Sequence, residues 1–166
     1  MQAIGDHLIS ADSDGIMKLW KFSKEPKIIK RLQGHTGRIN SLKLFRNYFV
    51  SGSYDGTVVL WSIETKDKVR VSCGHTDYVF CVEAAGNYIA SGSFDKTVRL
   101  WSPDNDHSVA VLEGHTDSIK WLKFTGRYLA SGSWDKTVIL LNLETMEKEA
   151  VLERHTKLID CLKVVG

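Results

Sequence analysis

Apolar positions along this chain come in short blocks rather than long runs. INSLKLF (39–45), YFVSGS (48–53), TVVLWSI (57–63) and KVRVSC (68–73) are rich in β-branched and aromatic residues and are parted by turn signals. That pattern predicts four short strands in succession. The turns Tyr54-Asp55-Gly56, Phe94-Asp95-Lys96 and Trp134-Asp135-Lys136 are each followed by Thr-Val, which suits a tight hairpin whose Asp bonds to nearby backbone. One stretch breaks the pattern. ETMEKEAVLERHTK (144–157), read alone, favours a helix, but its counterparts ETKDKVRVSCGH and PDNDHSVAVLEGH do not. Register overrules propensity here, and an outer strand is predicted.

The blocks recur. Gly34-His35, Gly74-His75 and Gly114-His115 follow a period of 40, and Arg154-His155 falls in the same register with its glycine replaced. Asp14, Asp55, Asp95 and Asp135 stand six residues before Trp20, Trp61, Trp101 and, in the last unit, Leu141. Ser10, Ser51, Ser91 and Ser131 stand four residues before the same aspartates. Coupled series at one period mark a repeat protein, whose units bury a core by stacking on one another.

SGSYDGTVVLW, SGSFDKTVRLW and SGSWDKTVILL, each preceded by Gly-His, resemble the WD-repeat (tryptophan-aspartate) family of β-propellers, in tone those of F-box/WD-repeat proteins. The resemblance covers essentially the whole chain. It implies an all-β propeller of four-stranded antiparallel blades, about four here, as half of an eight-bladed ring or part of a larger one. Each repeat would supply the outer strand of one blade and the three inner strands of the next. The units fall near 1–33, 34–73, 74–113 and 114–153, with a closing strand at 154–166. The resemblance also implies a buried structural network joining His35, His75, His115 and His155 to Ser10, Ser51, Ser91 and Ser131, to Asp14, Asp55, Asp95 and Asp135, and to Trp20, Trp61 and Trp101. The chemistry is coherent, because carboxylate accepts from imidazole and hydroxyl bridges imidazole to indole. Leu141 cannot donate, and Arg154 lacks the backbone freedom of glycine.

Composition narrows the function. The 166 residues are 43% hydrophobic and 25% charged, an ordinary globular balance. Twenty-two basic and 20 acidic residues are scattered along the chain, with no block to track a phosphate backbone, so no nucleic-acid partner is expected. No apolar run reaches membrane-spanning length, and no membrane partner is expected. Cys73, Cys81 and Cys161 are odd in number and lack CxxC spacing, which reads as reduced thiols in a cytoplasmic or nuclear protein. Cys81 and Cys161 share a repeat position held elsewhere by Ser41 and Trp121, a packing position rather than a metal ligand. Equivalent histidines in successive blades diverge around an axis, whereas metal ligands converge. GxSxG, phosphate-loop and HExxH patterns are absent from the sequence, so neither catalysis nor a cofactor is expected. An enzyme with an axial site stays open as an alternative, since fold does not dictate function.

The expected function is a noncatalytic scaffold binding a protein or peptide partner. The residues before the hairpin aspartates are Ser13, Tyr54, Phe94 and Trp134; rings at such turns serve either as a binding patch or as lids over the hairpin. Arg38 and Asn40, Tyr78 and Phe80, Ser118 and Lys120, and Leu158 and Asp160 follow the histidines by three and five residues, and the resemblance places them at the mouth of the central channel. One Arg and one Lys are few for a phosphopeptide receptor, so a ubiquitin-ligase-type substrate receptor is the alternative. The chain ends are complementary in register, with IDCLKVV (159–165) able to complete the sheet of HLISADS. Three closures remain: a homodimer sharing one ring, further blades from a longer chain, or four blades closing alone.

Overall fold

The computed structural model describes residues 2–4 as strand backbone, and residues 7–21, 23–105, 107–153 and 155–159 with their side chains. Four antiparallel sheets of four strands succeed one another along the chain. The first holds β1 (Gln2–Ile4), β2 (His7–Ala11), β3 (Ile16–Lys21) and β4 (Lys27–Gln33); the second β5 (Ile39–Phe45), β6 (Tyr48–Ser53), β7 (Val58–Ser62) and β8 (Lys68–Ser72). The third holds β9 (Val79–Ala85), β10 (Tyr88–Ser93), β11 (Val98–Trp101) and β12 (Ser108–Leu112); the fourth β13 (Ile119–Thr125), β14 (Tyr128–Ser133), β15 (Val138–Asn142) and β16 (Glu147–Leu152). These are about four blades of a β-propeller. The helix-prone stretch near 144–157 carries β16, because Leu141, Leu140, Ile139 and Val138 on β15 pair with it. Propensity yields to the ladder.

Apolar surface is buried between blades rather than within them. Ile9, Met17, Leu19 and Leu32 of the first blade pack with Ile39, Phe49, Val59 and Trp61 of the second. The next interface joins Val50, Val58 and Leu60 to Val79, Val82 and Trp101, and the third joins Cys81, Ala90, Val98 and Leu100 to Ile119, Leu122, Leu129 and Leu141. A strand such as β6 is covered on both faces, which is why YFVSGS is apolar or small throughout. Close approach demands the glycine in SGS: a Cβ on Gly92 would stand 2.5 Å from Ile119 Cγ2 and 2.8 Å from Cys81 Sγ. On the last blade, Ala130 and Val138 pack with Ile159, the residue in register with Ile39, Val79 and Ile119.

The innermost place in the first sheet is taken by β1, with Gln2 opposite Ile9 and Ile4 opposite His7. The sequence reading offers that place to IDCLKVV, of which residues 160–165 lie outside the described residues and Ile159 packs on the fourth blade instead.

The innermost strands of the second, third and fourth blades, β5, β9 and β13, each carry a β-bulge. Ile39 pairs with Ser53 and Ser41 with Gly52, skipping Asn40; Val79 and Cys81 pair with Ser93 and Gly92, skipping Phe80; Ile119 and Trp121 pair with Ser133 and Gly132, skipping Lys120. A bulge turns the extra side chain off its alternating face. Two consecutive residues then point toward one region. That region is the candidate site.

Candidate functional site

The recurrent polar residues form three relays of one design. In the second blade, Trp61 Nε1 donates to Ser51 Oγ at 2.8 Å, and Ser51 Oγ lies 2.7 Å from His35 Nε2. His35 Nδ1 lies 2.9 Å from Asp55 Oδ2, which also accepts from the Thr36 amide. The other carboxylate oxygen, Oδ1, accepts from the Thr57 amide and hydroxyl. The partners fix the tautomer: a carboxylate only accepts, so His35 carries its proton on Nδ1 and Nε2 accepts from serine. His75, Ser91, Asp95 and Trp101 repeat the arrangement. His115, Ser131 and Asp135 repeat it without an indole. Burial pushes the His35 imidazole below its ordinary value, against the pull of Asp55. Burial also works to raise the Asp55, Asp95 and Asp135 carboxyls, but hydrogen bonds from their Thr partners, together with the nearby histidine, more than offset it and hold all three below the usual range.

Two units depart from the design. In the first blade Trp20 Nε1 donates to Ser10 Oγ at 2.8 Å, but Asp14 is exposed and Asp12 Oδ1 takes the Asp14 and Ile16 amides. His155 is exposed and joins no relay among the described residues.

The turn rings and channel residues meet in one cluster at the bulges. Tyr54 stacks on Tyr78 with centroids 4.4 Å apart. Phe80 is the hub, 5.6 Å from Tyr54, 5.7 Å from Phe94 and 6.2 Å from Trp134. Lys120 Nζ lies 2.9 Å from the centroid of Phe80 and 3.9 Å from that of Trp134, a cation held over two ring faces. Arg38 flanks the far end, 5.9 Å over Tyr54. Asn40 Nδ2 donates to the Phe80 carbonyl at 2.8 Å, tying one bulge to the next. Tyr78 and Phe94 are exposed, while Tyr54, Phe80 and Trp134 are half-buried. Beside the rings opens a cavity of about 460 Å³, lined by the polar Asn40, Ser41 and Lys120 and the apolar Phe80, Trp121 and Trp134.

Other candidates fall elsewhere. Ser118 is buried, its hydroxyl donating to Asp117 Oδ1, so it offers a partner no surface. Ser13 is exposed at the first hairpin, outside the ring cluster. Leu158 is exposed, and Asp160 lies outside the described residues. Trp121 was missed as a site residue: it is 40% exposed and lines the cavity, although its repeat position reads as packing. A bulge places it there, and the break in apolar–polar alternation at Trp121-Leu122 is its trace in the sequence. Cys81 does pack; burial pushes its thiol up to about 12, so it stays protonated and inert at neutral pH. Among the described residues no three His, Cys, Asp or Glu side chains gather to hold a metal.

With this geometry in place, the likeness to known proteins is direct. The family described as "WD domain, G-beta repeat" matches residues 26–62, 66–102 and 106–142, each span running from an outer strand through the three inner strands of the next blade. The chain belongs to the WD-repeat family. Among its relatives, the F-box/WD repeat-containing protein sel-10 of Caenorhabditis elegans is 38% identical over 71 residues, 42% of this chain and 12% of that protein. A guanine nucleotide-binding protein subunit beta of Oryza sativa subsp. indica is 31% identical over 71 residues, 42% of this chain and 19% of that protein. The chain thus spans a small part of the length of these relatives. The crystal structure of the computationally designed Ika8 protein superposes with a TM-score of 0.91 at 28% identity, over 99% of this chain and 52% of that one.

Proposed function

We propose that this chain is a noncatalytic protein-interaction scaffold that presents the aromatic rim of its propeller to a peptide or protein partner. The observation that carries the reading is the hub position of Phe80, which gathers rings from three successive blades into one partly exposed surface beside a cavity. Aromatic side chains dominate interaction hot spots, since they bury much area with few rotatable bonds. One of the relatives is, by its name, a subunit of a guanine nucleotide-binding protein, which agrees with a scaffold that works in an assembly. The test is a pull-down with Tyr54→Ala, Phe94→Ala and Trp134→Ala combined. Capture should be lost while the thermal transition hardly moves; early unfolding with capture retained by the folded fraction would make the rings structural lids.

A second reading concerns closure. The four blades superpose on about half of a designed chain, and Ala130 and Val138 with Ile159 begin an interface on the fourth blade. Both support a ring completed by four more blades, and a second copy of this chain is the proposed source.

A further inference from the structure

The ring pair of Phe80 and Trp134 has the form of a clamp for a cation, but the chain fills it with its own Lys120. An incoming cation would meet a like charge there. Ring faces balance the ammonium charge only in part and accept none of its three N–H donors conventionally. Among the described residues Lys120 has no hydrogen bond or ion pair to a carboxylate, and no carboxylate lines the cavity. Arg38 on the rim adds positive field from the Tyr54 side.

We propose that this cavity seats the carboxylate of one acidic side chain, Asp or Glu, from a partner peptide whose neighbouring residues are apolar, with Lys120 as its counter-ion. The proposal rests on the rim reading above and narrows it. The apolar wall of Phe80, Trp121, Trp134 and Ile159 receives the flanking side chains, and at about 460 Å³ the space is in the range of ligand pockets. Asn40 and Ser41 line the same cavity and offer further polar contacts. A single ammonium matches one negative charge; a phosphate group calls for several converging guanidiniums, and among the described residues only Arg38 flanks the ring cluster. Partial desolvation already lowers the Lys120 pKa, a cost that a bound carboxylate reverses.

The test selects phage-displayed random heptapeptides against the wild-type protein, Lys120→Met, Lys120→Gln, Asp160→Asn and the triple aromatic variant. Met retains the contact with both rings, and Gln serves should Met unfold the chain. Wild-type selections should carry Asp or Glu at one position between apolar residues, and the two Lys120 variants should keep the apolar residues and lose the acidic one. In a synthetic peptide from the wild-type pool, changing that Glu to Gln should weaken binding to the wild type about tenfold and leave binding to Lys120→Met unchanged. Wild-type peptides without an acidic position, or Lys120 variants that still select one, overturn the carboxylate seat. If Asp160→Asn gains acidic peptides that the wild type lacks, the seat belongs to the chain's own Asp160 and the proposal fails. Peptides lost by the triple variant but lacking an acidic residue overturn the seat and leave the rim reading standing. The same peptides from wild type and triple variant, or no enrichment on the wild type, overturn both.

Discussion

Trp101 Nε1 donates to Ser91 Oγ over 2.8 Å, whereas Ser131 Oγ, in the same position one blade on, faces Leu141 and has no indole donor. The missing ring is felt at the serine and not at the aspartate: Asp135 keeps its contacts with His115, Thr116 and Thr137. A deletion in the fourth blade therefore strands fewer groups.

Ser91→Ala leaves both His75 Nε2 and Trp101 Nε1 buried without partners and should cost about 1–3 kcal/mol. Ser131→Ala strands only His115 and should cost clearly less. Urea titrations of the two variants decide this, and equal midpoint shifts would contradict the relay account.

Gly92→Ala should destabilise by about 1–3 kcal/mol through overpacking, because the new methyl group meets Ile119 Cγ2 at 2.5 Å. Adding Ile119→Ala removes the Cγ2 that the new methyl group meets, so the double variant should lose less than the sum of the two single losses. Thermal melts of the single and double variants measure the difference.

Acidification should destabilise the protein in two stages. His35 is held below its ordinary value of 6.5, so the unfolded chain takes up the proton first. The stability that His35 contributes is full above 6.5 and falls as the pH drops below it toward the folded value. Asp55, Asp95 and Asp135 are held below 3.8, so their contribution is full above that value and falls as the pH drops through the folded values. Chemical denaturation across pH 7 to 3 should show the midpoint declining in both windows, and His35→Gln should remove the upper one. A midpoint constant from pH 7 to 5 in the wild type would contradict the neutral His35.

An arc of four blades leaves an apolar flank at its end, where Ala130 and Val138 are covered in this chain by Ile159. Light scattering on the isolated chain should give about twice its 18.7 kDa mass. Val138→Asp, which charges that flank, should abolish association. A monomer that persists at high concentration would remove the two-copy ring.

Much of the fold is written in the spacing. The coupled Ser, Asp and Trp series locates β6, β7 and their equivalents because the relay needs side chains at fixed strand positions, and register correctly makes a strand of a helix-prone stretch. Tyr54, Phe94 and Trp134 stand out as rings before the hairpin aspartates, and the family resemblance adds Tyr78, Phe80 and Lys120. What spacing hides is local backbone geometry. The bulges that bring Trp121 beside Lys120 change facing by one residue without changing the period. The burial of Ser118 depends on its tie to Asp117, and the first hairpin is held by Asp12 because Ile16 stands where the later units have threonine.

Asn40, Phe80 and Lys120 share one more property, which follows from lying opposite no residue in their ladders. Their side chains are uncoupled from the cross-strand packing that fixes each sheet, so amide, ring and ammonium occupy the same backbone seat in three successive blades. Recognition chemistry at these seats is free to vary while the scaffold stays constant. Under the proposed rim reading, specificity resides in these three substitutable positions, and exchanging them between blades is the economical way to redirect binding.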